Sequence, residues 1–166
     1  QVGPALLAYG SEEQKAEILP RVTKGEIVFC LGMSEPGAGS DLASLRTKAL
    51  EEGDSFSLTG QKIWTSFAHV ADYAYLVART DTNAPKHKGI SEFLIDMQTP
   101  GVTVRPLVDI TGEHHFNEVF FDNVRVEKKW LIGEKNRGWY QIASQLDYER
   151  SGIERLLSNY PLFRDT

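Results

Sequence analysis

The chain has 166 residues, 41% hydrophobic and 25% charged, enough for one medium domain whose core needs neither disulfides nor metal. A net charge of −5 with no basic footprint argues against a nucleic-acid partner, and no apolar run approaches the ~20 residues of a membrane helix. Cys30 is the single cysteine, which excludes an intrachain disulfide and points to a reducing compartment.

Gln1 opens in apolar sequence and Thr166 follows a helical pattern, so both ends read as cuts in a longer polypeptide. Gly3–Tyr9 reads as the end of a helix closed by Gly10. Ser11 with Gln14 three residues on is a capping-box signature, and Glu12 and Glu13 complement the positive helix end. Ile18, Leu19 and Val22 give a narrow apolar stripe; Pro20 is expected to kink or end this helix and Gly25 to stop it.

From Ile27 to Val126 the pattern is β. Expected strands are Ile27–Met33, Leu45–Leu50, Ser55–Thr59, Lys62–Thr65, Tyr73–Thr80, Ile90–Met97, Val102–Leu107 and Glu118–Val126. Turn signals separate them at Glu52-Gly53-Asp54, Thr59-Gly60, Asp81–Lys88 and Thr99-Pro100-Gly101. Many short strands at this spacing predict an antiparallel barrel or two packed sheets. Phe93, Ile95 and Met97 share one face but Leu94 takes the other, so the outer faces need covering by helices or by a ligand ring. After a loop carrying Gly133 and Gly138, Trp139, Ile142, Ala143, Leu146 and Arg150 follow helical spacing, continued by Ile153, Leu156 and Leu157 and closed by Pro161. The expected fold is α+β, a mainly antiparallel barrel or sandwich (27–133) flanked by incomplete helical parts (1–26 and 134–166).

Three stretches can carry chemistry. In Phe29–Asp41 an apolar strand runs into a turn holding Ser34, Glu35 and Pro36, then Gly37, Gly39, Ser40 and Asp41; such a turn is either a bare glycine-rich turn or a cradle of backbone N–H groups and hydroxyls for a ligand. It fits neither the GxGxxG dinucleotide fingerprint nor the GxxxxGKS phosphate loop. In Gln61–Ser66, Trp64 is either a core residue or a ring that stacks on a planar ligand while Thr65 or Ser66 bonds its edge. In Leu146–Arg150, the carboxylates are either a solvated helix turn or, if one is desolvated, a general base. The four histidines lack metal-ligand spacing, and no Ser-His-Asp or Cys-His set stands in context.

Taken together, GPALLAYGSEEQK, LPRVTKGE, CLGMSEPGAGSDLASLRTKA, GDSFSLTGQKIWTS, TPGVTVRPL, FNEVFFDNVRV, LIGEKNRGW and LDYERSGI resemble the acyl-CoA dehydrogenases, in that family's order and over nearly the whole chain. The resemblance implies the end of an N-terminal helical domain, a whole central β-domain and the start of a C-terminal helical domain. It implies FAD-dependent α,β-dehydrogenation of an acyl-CoA thioester: a glutamate removes the α-proton, and a hydride leaves the β-carbon for flavin N5. By this resemblance Leu31, Met33 and Ser34 lie along the flavin ring, with the Ser34 hydroxyl at its pyrimidine edge. Gly39 and Ser40 match positions that meet the FAD pyrophosphate and the CoA thioester arm. Trp64, Thr65 and Ser66 match a cofactor-binding Trp-x-Thr/Ser segment whose third hydroxyl reaches N5. Asp147 and Arg150 match a helix lining the acyl-CoA channel, and Glu149 matches the position at which a minority of members, isovaleryl-CoA and long-chain acyl-CoA dehydrogenases among them, carry the base.

Implied partners are an acyl-CoA, an electron-transfer flavoprotein and further copies of the chain in a tetramer. The implied location is the bacterial cytoplasm or the mitochondrial matrix, with no targeting segment visible. Ser34 stands where Thr is more usual, and Gly112–Phe116 replaces a commoner Ser-Asp-Thr region, which leaves the substrate class open. The competing readings are a flavin oxidase or monooxygenase on the same fold, and a non-catalytic CoA-binding partner subunit.

Overall fold

The computed structural model describes residues 2–150, 157 and 160–164; the side chains at 147–150 and at 162 lie outside the described set. Helix α1 (Val2–Tyr9) ends at Gly10, whose N–H donates to Leu6 O at 2.8 Å; a Cβ there would lie 2.6 Å from that oxygen. Helix α2 (Glu12–Thr23) starts on the expected capping box, with Gln14 N donating to Ser11 Oγ and Ser11 N to Gln14 Oε1. Gln14 Nε2 also donates to Lys129 O and Leu131 O, so one side chain both caps the helix and ties it to the β-domain. Pro20 does not end α2. It sits in the last turn, where its missing N–H costs one bond, and Lys24 N still reaches Pro20 O.

Among the described residues, eight strands make one connected, mostly antiparallel sheet: β1 (Phe29–Gly32), β2 (Lys48–Glu52), β3 (Ser55–Lys62), β4 (Tyr73–Arg79), β5 (Ile90–Asp96), β6 (Val102–Leu107), β7 (Phe116–Glu127) and β8 (Leu131–Ile132). The order is β6-β7-β3-β2-β4-β5-β8, with β1 also on β4. Strand β4 is shared. Along its first half it pairs in parallel with β1, from Phe29↔Tyr73 to Gly32↔Leu76, and only at its end does it meet β2, at Lys48↔Arg79. The sheet therefore opens between β1 and β2, and residues 33–47 cross that opening. Its two parts fold over one core, in which the Phe56 ring of β3 packs edge-on against Phe93 of β5 at 5.0 Å.

The expected turn at Thr59-Gly60 is not a turn: β3 runs unbroken to Lys62. Gly60 is required by a close approach, since a Cβ there would lie 2.5 Å from Thr47 Oγ1 and 2.6 Å from Thr47 Cα. The irregularity falls on β7, where register shifts opposite Leu58/Gly60 and Asn123 takes φ 49°. The extra residue switches the inward set from Asn117, Val119 and Phe121 to Val124 and Val126. Past Lys62, Ile63–Thr65 leave the sheet rather than forming the expected strand Lys62–Thr65.

The outer face of β4 and β5 is covered, as its apolar character required. Val2, Ala5, Leu6 and Ile18 of α1 and α2 pack on Tyr75 and Leu94, and Ile142 of helix α3 (Gly138–Arg150) packs with Val77, Ile90, Ala38 and Leu45. A short helix, Tyr160–Arg164, follows among the described residues.

Candidate functional site

After β1 the chain turns through Ser34–Ala38, closed by Glu35 N→Ala38 O at 2.9 Å and Ala38 N→Glu35 O at 3.0 Å. The turn is anchored from behind by a buried ion pair. Lys62 Nζ, fully buried, donates to Glu35 Oε1 at 3.0 Å and to Met33 O at 2.9 Å. The same carboxylate accepts from Arg46 N at 2.6 Å and Thr47 N at 2.9 Å. Glu35 thus supplies the acceptors that a neighbouring strand would have supplied where the sheet opens. Burial pushes the Lys62 ammonium down to about 8 against the pull of Glu35. Burial also opposes ionisation of Glu35, but Lys62 and the Thr47 and Arg46 donors outweigh it and hold the carboxyl below its ordinary value. At neutral pH the pair is ionic.

Ile63 N donates to Ser34 O at 2.9 Å, which joins the turn to the second predicted segment. That segment is strained: Trp64 and Phe67 both have φ 60°, a region bulky residues rarely occupy. Strand β7 holds it there. Thr65 N donates to Asn117 O at 3.0 Å, buried Asn117 Nδ2 returns a bond to Thr65 O at 3.0 Å, and Phe67 N reaches His115 O. Held this way, the Trp64 and Phe67 rings are 60% and 52% exposed instead of buried in a core.

Between the two segments lies a groove of about 390 Å³, lined by Phe29, Cys30, Leu31, Met33, Ser34, Ile63, Trp64, Ser66 and Phe67. The structure therefore brings together Leu31, Met33, Ser34, Trp64 and Ser66. It does not bring in Thr65, which is buried, with an Oγ1 that has no hydrogen-bond partner among the described residues. Gly39 and Ser40 are exposed beyond Ala38 and are not among the groove's lining residues. Asp147, Glu149 and Arg150 stand on the last turn of α3, and their side chains lie outside the described residues. Trp139, Ile142 and Leu146 of α3 pack in the same cluster as Met33 and Ala38, so the helix lies against the turn that walls the groove.

Hydrophobic and aromatic walls with hydroxyls from Ser34 and Ser66 suit a planar ligand with polar edges, and an isoalloxazine fits that donor set. Glu35 and Lys62 lie within the stretches that stand out in the sequence, but their roles in building the site, like that of Asn117, are not visible there. Lys62 carried a usable signal, because it continues the inward parity of Phe56 and Leu58 on β3.

Comparison with known proteins defines the class. Residues 30–124 match the family described as acyl-CoA dehydrogenase, middle domain, and the chain belongs to the acyl-CoA dehydrogenase family. It is 52% identical over 147 residues to acyl-CoA dehydrogenase FadE34 of Mycobacterium tuberculosis, covering 89% of this chain and 21% of that protein. It is 48% identical over 149 residues to FadE29 of the same organism, covering 90% of this chain and 38% of that one. A solved structure described as the Tcur3481-Tcur3483 steroid ACAD superposes with a TM-score of 0.87 at 46% identity, over 90% of this chain and 38% of that one. The chain thus spans about a fifth to two fifths of the length of these relatives. No helix among the described residues is long and apolar enough to cross a membrane.

Proposed function

We propose that this chain supplies the flavin wall and the general base of an enzyme that converts an acyl-CoA thioester to its α,β-unsaturated form. The observation that carries the reading is the groove in which Leu31, Met33 and Ser34 face Trp64 and Ser66. Residues 27–133 would be its central domain, with 1–26 and 134–166 belonging to flanking helical domains. FAD, when bound, supplies the acceptor for the hydride that leaves the β-carbon. Leu31, Met33 and Trp64 would flank the ring, Ser34 would bond its pyrimidine edge and Ser66 would donate near N5. The buried Thr65 would serve through its backbone bonds to Asn117. Gly39 and Ser40, on the exposed side of the turn, would meet the pyrophosphate and the CoA arm.

Glu149 would take the α-proton as the β-hydride departs, so the thioester loses one C–H bond at each carbon and gains the double bond between them. Asp147 and Arg150 would line the acyl channel on the same helix turn. An electron-transfer flavoprotein would be the partner that receives the electrons, and the protein would assemble as a tetramer. Because one solved relative is described as a steroid enzyme, steroid side-chain thioesters belong beside straight and branched chains among the substrates to be tried.

Mixing the intact, flavin-loaded protein anaerobically with such a panel should bleach the flavin band and yield the unsaturated thioester for at least one class. Failure to take up flavin would point to the non-catalytic reading and contradict this one. Rapid reoxidation of the substrate-reduced flavin by O₂ would move the protein to the oxidases.

A further inference from the structure

The outer face of β5 carries Ile90, Glu92 and Leu94 in alternation, and all three are fully buried beneath the helices. A carboxyl in that row is out of place unless something holds it. What holds it is α3: Gln141 Nε2 donates to Glu92 Oε2 at 2.6 Å, and Gln145 Nε2 reaches Glu92 Oε1 at 3.5 Å. Gln145 is oriented in turn by Tyr75 on β4, whose hydroxyl donates to Gln145 Oε1 at 3.0 Å. Gln141 is fixed further by a bond to Ile132 O and by Glu134 N donating to its oxygen. From the sheet, Tyr75 faces Glu92; from α3, Gln141 and Gln145 do; Tyr9 of α1 stands beyond Tyr75. None is a cation, and no salt bridge reaches Glu92 among the described residues.

Gln141, Gln145 and Glu149 lie four residues apart in succession, so the two anchoring amides share one helix stripe with the proposed base. We propose that Glu92 is a positioning residue: through Gln141 and Gln145 it fixes α3 on the sheet, and so sets where residue 149 stands over the flavin groove. The second half of this inference rests on the reading of Glu149 as the base.

The anchor has two states. Burial, only partly offset by Tyr75, Gln141 and Gln145, pushes the Glu92 carboxyl up to about 7. As an anion it accepts both amides. Once protonated, it presents an O–H where Gln145 already presents an N–H. A carboxyl O–H accepts poorly, so the hold on that amide weakens even where the Tyr75 oxygen takes the new proton. Burial pushes the Tyr75 hydroxyl far above its ordinary value, so Tyr75 stays protonated throughout and keeps donating to Gln145.

The test compares wild type and Glu92→Gln in the intact, flavin-loaded protein. Amide hydrogen exchange along α3 should change in wild type between pH 6 and pH 8, beyond the intrinsic pH dependence of exchange, and Glu92→Gln should abolish that change. Single-turnover flavin reduction should fall about ten- to a hundredfold in Glu92→Gln at saturating acyl-CoA, with half-saturation little moved and the limb near neutrality lost. Gln145→Met, which keeps the Glu92–Gln141 bond, gives the same readouts if Glu92→Gln fails to fold. Exchange along α3 that is equally insensitive in wild type and variant overturns the inference, whatever the base. An exchange response abolished by Glu92→Gln, with an unmoved reduction profile, upholds the anchor and removes Glu149 as the base it serves.

Discussion

Replacing Lys62 with methionine is expected to lower the unfolding free energy by about 3–5 kcal/mol, because it leaves the Glu35 carboxylate buried without its cation. Lys62 is fully buried and makes two bonds, to Glu35 Oε1 and Met33 O, which the thioether cannot replace. Pairing Lys62→Met with Glu35→Gln should recover part of the loss, since the charge is removed while an acceptor for Thr47 N remains. The pH dependence should weaken. In wild type the folded-state value of Glu35 is depressed, so its contribution is present above the ordinary carboxylate value and is lost as pH falls through the depressed one. In Lys62→Met the pull of the cation is gone and burial is opposed only by the Thr47 and Arg46 donors, so that value rises relative to wild type and less stability should be lost as the pH falls. Urea midpoints at neutral and mildly acid pH measure both effects. A Lys62→Met protein as stable as wild type would show that the pair does not anchor the turn.

Replacing Glu149 with glutamine should slow flavin reduction by acyl-CoA by about 10²–10⁴-fold, the usual worth of a positioned general base. Glutamine keeps the size of the side chain and cannot accept the α-proton, so flavin content and acyl-CoA affinity should stay near wild type. Anaerobic stopped-flow reduction with a thioester that bleaches wild type gives the rate, and equilibrium binding of a non-reducing acyl-CoA gives the affinity. A reduction rate within a few-fold of wild type would place the base elsewhere in the intact protein.

Much of the architecture was legible because its signals are local. The capping box at Ser11 and Gln14 forms as read, and most strand-like runs become strands with shifted ends. The misread parts depend on distant contacts. Gly60 looked like a turn because its partner, Thr47, is remote in sequence, and the bulge at Asn123 cannot be seen until β7 is paired with β3. Of the site, Ser34 and Trp64–Ser66 stood out by residue type. Their juxtaposition did not, since it depends on Ile63 N reaching Ser34 O and on Asn117 fixing Thr65. Glu35, Lys62 and Glu92 were hidden by their charge, which reads as solvent-facing. The inward parity of Lys62 on β3 and the place of Glu92 between Ile90 and Leu94 are the visible trace of burial; Glu35, in a turn, carries none.

In the proposed enzyme a flavin would occupy the groove between the Ser34 turn and the Trp64 segment. With Trp130 and Trp139 both replaced by phenylalanine, Trp64 is the remaining tryptophan of this chain, and its exposed ring is a direct reporter. In the intact protein carrying these replacements, with any tryptophans outside this chain also replaced, titration of the apoprotein with FAD should quench the emission in step with cofactor uptake. Emission unchanged at full flavin occupancy would contradict the account.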